Sequence, residues 1–136
     1  GLTAARHLVL RGVNVVVFLL AEPEKFRGDA AINLRIAERV GLEIRQPAHY
    51  DVLGLAEALR HFDLLIDAIG GTGITGPLRG LTAEVIEQVN RAGVPVLAED
   101  IPTGLDCDSG EATGPAIRAA MTVTLPPVAQ VSVKST

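Results

Sequence analysis

Cysteine and aromatic residues are scarce in this chain. Cysteine occurs once in 136 residues, at Cys107, so no disulfide can form within the chain. A single thiol is typical of a reducing compartment, which predicts a cytoplasmic protein. Aromatic residues make up only 3% of the sequence, whereas hydrophobic residues make up 48%. An apolar content that is mainly aliphatic favours an α/β protein with a buried parallel sheet.

Positive charge and long apolar runs are also lacking. The formal net charge is −4, which argues against a nucleic-acid partner or an anionic membrane surface. No apolar run reaches the length of a membrane span, and the first residues lack the basic-then-apolar pattern of a signal peptide. At this length the chain can form one domain with its own core. The sequence predicts a soluble domain over residues 1–136, with no nucleic-acid or membrane partner.

Helical and strand patterns alternate along the chain. Helices are predicted at 2–11, 28–40, 51–60 and 82–91, and strands at 13–20, 43–46, 63–69, 94–98 and 121–125. Glycine follows three of these helices, in the position where a glycine commonly ends a helix. Asp51 is predicted to cap the third helix through its carboxylate. Such alternation favours βα crossovers and a mostly parallel sheet.

A glycine-rich loop, residues 71–77, directly follows the apolar strand pattern at 63–69. Its glycines formally satisfy G-x-G-x-x-G, and they let backbone N–H groups approach an anion closely. Three glycines within six residues exceed what a simple turn requires, so ligand binding is favoured. Residues 77–80 separate this loop from the next helix, unlike the ordinary dehydrogenase fingerprint. The loop is therefore predicted to wrap around a ligand.

A second polar loop, residues 99–106, follows the next predicted strand and contains Asp100 and Thr103. Because open α/β folds bind ligands at the carboxyl edge of the sheet, the two loops are expected side by side there. Glu99 and Asp100 point to opposite faces, so one carboxylate can face the site. Asp67 ends the preceding strand, where a charge is costly unless it is paired. Its carboxylate either accepts backbone amides of a neighbouring loop or binds a cation.

Three segments together resemble the NAD(P)H-hydrate epimerase family, also called the YjeF amino-terminal domain. They are Gly-Asp-Ala-Ala-Ile-Asn at 28–33, Asp-Ala-Ile-Gly-Gly-Thr-Gly-Ile-Thr-Gly-Pro at 67–77, and Asp-Ile-Pro-Thr-Gly-Leu-Asp at 100–106. The resemblance implies a Rossmann-like three-layer αβα sandwich. It also implies epimerisation of the R and S forms of hydrated NADH and NADPH, together NAD(P)HX. A companion dehydratase, as a fused domain or separate partner, would then restore the coenzyme from the S form.

The resemblance assigns roles to particular residues of this chain. Asp67 and Thr103 would be ligands of one potassium ion per subunit. Asp100 would contact the substrate and act as the acid–base group. The phosphates and ribose of NAD(P)HX would lie against the glycine-rich loop, which consists of Gly71, Thr72, Gly73, Ile74, Thr75, Gly76 and Pro77. The family resemblance further implies a homodimer.

The resemblance also predicts that this chain is a fragment. The family's Asn-Asn-Gly-Gly-Asp loop, expected just before Gly1, does not occur in these 136 residues, and a segment with lysine and glycine expected after Leu125 is not recognisable. Two other functions stay open on the residues alone. One is a non-catalytic nucleotide-binding module, and the other is an NAD-linked oxidoreductase suggested by the glycine pattern.

Overall fold

The computed structural model describes residues 1–47, 51–70, 76–112 and 114–124. Its α-helices are α1 (Leu2–Leu10), α2 (Gly28–Arg39), α3 (Val52–Leu59) and α4 (Gly80–Ala92). Its strands are β1 (Val16–Phe18), β2 (Glu43–Arg45), β3 (Leu65–Asp67), β4 (Val96–Glu99) and β5 (Met121–Val123). A 3₁₀ turn covers Pro23–Lys25. The order of elements is the one predicted, although most strands are shorter than their apolar patterns.

The strands pair in parallel within two sheets. One sheet consists of β1 and β2, and the other has the order β3-β4-β5. In the second sheet, Asp67 of β3 lies opposite Ala98 of β4. The carboxyl ends of β3 and β4 therefore lie side by side, as the sequence predicted. Parallel pairing confirms the expected α/β class.

Helices pack on both sides of the strands and bury most of the core. On one side, Ala5 of α1 and Ala37 of α2 pack against Val17 and Ile44 of the first sheet. On the other side, buried side chains of α3 and α4 form a second cluster, against which Phe18 and Leu65 pack. The two sheets thus share one helical layer. This arrangement is the three-layer αβα sandwich.

The helix termini follow the sequence in part. Gly93, with a φ of +72°, ends α4 in the left-handed conformation that glycine adopts without strain. Asp51 stands at the N-cap of α3 as predicted, but its side chain makes no capping hydrogen bond. The capping mechanism predicted for Asp51 is therefore wrong. Within the described ranges, none of the helices is both long and apolar enough to cross a membrane.

A cleft of about 680 Å³ lies between β1 and β3, which face each other without pairing in the described part of the chain. Apolar side chains of both strands and of α1, α3 and α4 line it. At one end it reaches Gly1 and Asp67, at the carboxyl edge of the strands. The cleft therefore reaches the end of β3, where Asp67 stands, but among the described residues none of the second loop lines it.

Candidate functional site

Asp67 is the best-connected carboxylate at the carboxyl edge. It ends β3 and is only 4% exposed. Its Oδ2 accepts the amide of Thr103 at 2.8 Å, and its Oδ1 accepts the Thr103 hydroxyl at 2.7 Å and the Ile69 amide at 3.2 Å. Three donors offset the cost of removing this charge from water. The carboxylate therefore accepts loop amides, one of the two roles that the sequence left open.

Thr103 joins the loop after β4 to the end of β3. It is 2% exposed, and its hydroxyl oxygen accepts the Gly70 amide at 3.0 Å while the hydroxyl donates to Asp67. Its carbonyl accepts the Ile117 amide at 2.8 Å. The structure thus brings the predicted pair Asp67 and Thr103 into direct contact. It also ties the residue just ahead of the glycine-rich loop to the second loop.

The oxygen atoms of this pair can still accept further partners. A carboxylate offers about four lone-pair sites, of which the three donors to Asp67 use three. The carbonyl of Thr103 has one further lone pair beside its bond to Ile117. Hard cations prefer such oxygen ligands. Among the residues the structure describes, no three His, Cys, Asp or Glu side chains form a metal-binding group.

Asp100 has an unusual backbone. Its φ is +77°, and it is the one described non-glycine residue with a positive φ. The Ile101 amide donates to the Glu99 carbonyl at 3.2 Å, so Asp100 is the central residue of a γ-turn with positive φ. That turn is rare and strained for a side-chain-bearing residue, and such strain is concentrated at functional sites. Within the described ranges its carboxylate makes no hydrogen bond or ion pair, which leaves it available to a ligand.

Glu99 lies beside Asp100 but has a partner. Its Oε2 accepts a hydrogen bond from the amino group of Gly1, which stands at the N-cap of α1. A carboxylate at that position is favourable, because the N-terminal end of a helix carries partial positive charge. A Cβ on Gly1 would lie 2.9 Å from the Cβ of Ala68, so α1 begins in close contact with the end of β3. Within the described ranges Glu99 therefore has a partner, whereas the carboxylate of Asp100 has none.

The glycine-rich loop is described only at its far end. Gly71, Thr72, Gly73, Ile74 and Thr75 lie outside the described residues. Gly76 has a φ of +80° and is exposed, and Pro77 packs near the backbone of residue 114. Leu78 then packs against the buried cluster of Ile86, Val96 and Ile117. The predicted substrate contacts of residues 71–77 stay a prediction.

Gly104 is a site residue that the sequence analysis missed. Its φ is +97°, and a Cβ there would lie 2.3 Å from the carbonyl oxygen of Pro115 and 2.7 Å from the Cα of Ala116. No side chain fits in that space, so only glycine lets the loop after Thr103 pass this close to residues 115–116. The glycine in the Thr-Gly pair was the available signal, but its meaning depends on a contact distant in sequence.

Asp106 forms a turn, as expected from the sequence. Its Oδ1 accepts the amides of Asp108 at 3.1 Å and Ser109 at 2.9 Å, and the Ser109 hydroxyl at 3.0 Å. These bonds from Ser109, with the weaker one from the Asp108 amide, lower the pKa of Asp106 below its usual 3.8. Its role is to hold the loop that follows Gly104.

We expect Asp106 to make the fold more acid-sensitive. Because its pKa is lowered in the folded protein, its contribution to stability is complete above the unfolded value of 3.8. That contribution is lost as the pH falls from there through the folded pKa. Urea midpoints measured against pH should therefore fall more steeply below about pH 4 in the wild type than in Asp106→Asn. Asp108→Asn, the control, should keep the wild-type slope, and equal slopes in all three proteins would contradict the assignment.

Comparison with known proteins places this arrangement in a family. The family model described as YjeF-related protein N-terminus matches residues 1–130. The bifunctional NAD(P)H-hydrate repair enzyme Nnr of Moorella thermoacetica is 46% identical over 125 residues, covering 91% of this chain and 24% of that protein. The NAD(P)H-hydrate epimerase of Pirellula staleyi is 45% identical over 139 residues, covering 97% of this chain and 60% of that protein.

A solved structure supports the fold. The crystal structure of yeast YNL200c aligns with a TM-score of 0.77 at 27% identity, covering 92% of this chain and 51% of that chain. The expected Rossmann-like sandwich is thereby confirmed. The chain spans 24% of the Moorella protein and 60% of the Pirellula protein, so it corresponds to only part of each relative's length.

Proposed function

Because the chain belongs to the family of YjeF-related protein N-termini, we propose that its full-length protein interconverts the R and S forms of NAD(P)HX. The observation that carries the proposal is that two carboxylates in different environments stand at the same edge of the sheet. Asp67 is buried and bonded to three donors, whereas Asp100 is strained and free of partners in the described ranges. Relatives that cover most of this chain are named NAD(P)H-hydrate epimerase.

Asp100 is the acid–base group in this proposal. Interconverting the two configurations requires one bond to the hydroxyl-bearing carbon to break and to form again on the other face, and in this proposal it is the carbon–oxygen bond. The carboxyl group of Asp100 gives a proton to the departing oxygen, and it takes a proton back when water adds to the opposite face. A carboxylate without a partner among the described residues is suited to this exchange, since no hydrogen bond to them must first be broken.

Asp67 and Thr103 would hold a potassium ion, as the family resemblance implies. The unused lone pair on the Asp67 carboxylate and that on the Thr103 carbonyl supply oxygen donors, which fit a hard monovalent cation. When bound, the ion would supply positive charge next to the substrate's oxygen atoms. The chain's own contribution is to fix both oxygens through the bond between Asp67 and Thr103.

Substrate and partner assignments complete the proposal. The loop from Gly71 to Pro77 would contact the phosphates and ribose of NAD(P)HX. This assignment is supported by Leu78, which directly follows the loop and packs against the core. The relatives named as bifunctional repair enzymes favour a dehydratase domain or partner acting on the S form. A homodimer and a cytoplasmic location stay predictions from the sequence.

The proposed function is tested on the full-length protein with purified R-NADHX. Chromatography that separates the R and S forms follows the reaction. We expect the S form to increase until the two forms reach equilibrium. Binding of NADHX without interconversion would overturn the proposal in favour of a nucleotide-binding module. Reduction of NAD with a hydroxyl-bearing substrate would instead favour an oxidoreductase.

Asp67 provides a test of the potassium site. A ligand that binds only the folded state raises the melting temperature, so wild-type full-length protein should melt higher in potassium chloride than in tetramethylammonium chloride of equal concentration. Asp67→Ala should lose this difference. It should also lose about 1–3 kcal/mol of stability for each buried amide left without an acceptor. Asp67→Asn, which keeps an acceptor oxygen, is the variant to use if Asp67→Ala does not fold.

Asp63→Ala is the matched control, since Asp63 is exposed and precedes the other end of β3. It should keep the potassium response in full. An equal response to potassium in the wild type and both Asp67 variants would remove Asp67 from the cation site.

A further inference from the structure

Both main-chain polar groups of Asp100, its amide and its carbonyl, are hydrogen-bonded to residues at the end of β5. The Asp100 amide donates to the Val123 carbonyl at 2.8 Å, and the Asp100 carbonyl accepts the hydroxyl of Thr124 at 3.1 Å. The first bond extends the parallel ladder in which Glu99 lies opposite Val123. The second bond comes from a side chain, so it depends on the residue type at position 124.

The γ-turn at Asp100 needs such support. A side-chain-bearing residue at a φ of +77° is disfavoured and persists only where its surroundings hold it. The bond within the turn, from Ile101 to Glu99, is 3.2 Å long and closes only a three-residue ring. Without the Thr124 hydroxyl, the peptide between Asp100 and Ile101 is free to turn about the Cα–C bond of Asp100. Because the chain is fixed again at Thr103, that turn also changes the φ of Asp100, and with φ the direction of its side chain.

We infer that Thr124 is a positioning residue for the reaction, since its hydroxyl fixes the γ-turn that sets the direction of the Asp100 carboxylate. This inference rests on the proposed function, because it takes Asp100 as the acid–base group. Thr124 acts on the carbonyl of Asp100 and not on the substrate. The hydroxyl is also solvent-exposed, so its removal leaves no buried polar group without a partner.

Substitutions in the full-length protein separate this role from a structural one. Thr124→Val keeps the shape of the side chain and removes the hydroxyl, and we expect it to lower kcat for R-to-S interconversion roughly 3- to 10-fold. The KM for NADHX and the melting temperature should stay close to wild type. Thr124→Ser restores the hydroxyl and should recover most of kcat. The control Thr122→Val alters an exposed threonine on the same strand and should change nothing.

A double variant tests whether Thr124 acts through Asp100. If it does, Thr124→Val should have no further effect on kcat once Asp100→Asn is present, because the positioned group is gone. Additive losses in the double variant would overturn the inference. So would an unchanged kcat in Thr124→Val, or a failure of Thr124→Ser to recover activity.

A measurement without turnover keeps the inference separate from the proposed function. Solution NMR or crystallography gives the φ of Asp100 in the wild type and in Thr124→Val. We expect φ to leave the region near +77° in the variant only. An unchanged φ in Thr124→Val overturns the inference, whatever the activity. An inactive wild-type protein would overturn the proposed function, and this measurement would still decide whether Thr124 holds the turn.

Discussion

Asp100→Asn in the full-length protein should lower the rate of R-to-S interconversion of NAD(P)HX by about 10²–10⁴-fold. Asparagine keeps the size of the side chain and can adopt a positive φ, so the γ-turn should survive. What is lost is the ability to give and take a proton. The measurement is kcat from chromatography of the two forms, together with the dissociation constant of NADHX. The dissociation constant should change little, because the glycine-rich loop supplies the phosphate contacts in the proposed function.

Two further variants make this result interpretable. Asp108→Asn changes an exposed carboxylate in the turn after Cys107 and should leave the rate unchanged. Asp100→Gly should be as inactive as Asp100→Asn but melt no lower than wild type, because glycine adopts a φ of +77° without strain. Near-wild-type turnover by Asp100→Asn would exclude Asp100 as the essential proton carrier.

Gly104→Ala should cause a large loss of stability. Its new Cβ would lie 2.3 Å from the carbonyl oxygen of Pro115, a backbone atom that cannot move without displacing the segment bonded to Thr103. Overpacking of this kind costs roughly 1–3 kcal/mol, and a positive φ adds about 1 kcal/mol or more. The urea midpoint should fall accordingly. Since the shift also moves Thr103 away from Asp67, any potassium response should weaken too.

Gly110→Ala separates the effect of the close contact from the effect of the positive φ. Gly110 has a φ of +71°, but nothing lies within 4 Å of the place where its Cβ would be. Alanine there should cause only the smaller loss that belongs to the backbone conformation. If both alanine variants destabilise the protein equally, the close contact with Pro115 contributes nothing and the argument for Gly104 is wrong.

The order of elements was predictable because apolar periodicity and helix-ending glycines are local signals. The helix over 28–40 shows the limit of such signals. Its sequence places Ile32, Ile36 and Val40 on one apolar stripe, but Ile32 and Val40 are 46% and 38% exposed. The buried residues of this helix are Leu34 and Ala37. The face that a helix buries depends on where its neighbours lie, and α2 packs on α1 and the first sheet. Periodicity identifies a stripe but does not say which part of it meets another element.

The sequence predicted which residues belong to the candidate site, but not the hydrogen bonds and close contacts that they make. Sequence placed Asp67, Asp100 and Thr103 at one edge of the sheet, and the structure joins two of them directly. Neither the γ-turn at Asp100 nor the contact between Gly104 and Pro115 could be predicted, because each depends on a segment 10 or more residues away. Thr124 was missed for the same reason: its hydroxyl acquires a role only when β5 pairs with β4.

The cleft between β1 and β3 also has a consequence for the backbone hydrogen bonding of the fold. Parallel strands direct the N–H and C=O groups of alternate residues to opposite sides. The Leu65 amide bonds to Pro95 and the Leu19 amide bonds to Arg45, so the main-chain groups of Ile66 and Phe18 point into the cleft. In the described part of the chain these groups have no strand partner, although α1, α3 and α4 all contribute side chains to the cleft. The backbone hydrogen bonding of the fold is therefore interrupted at its centre, between the two sheets, and not at an outer edge.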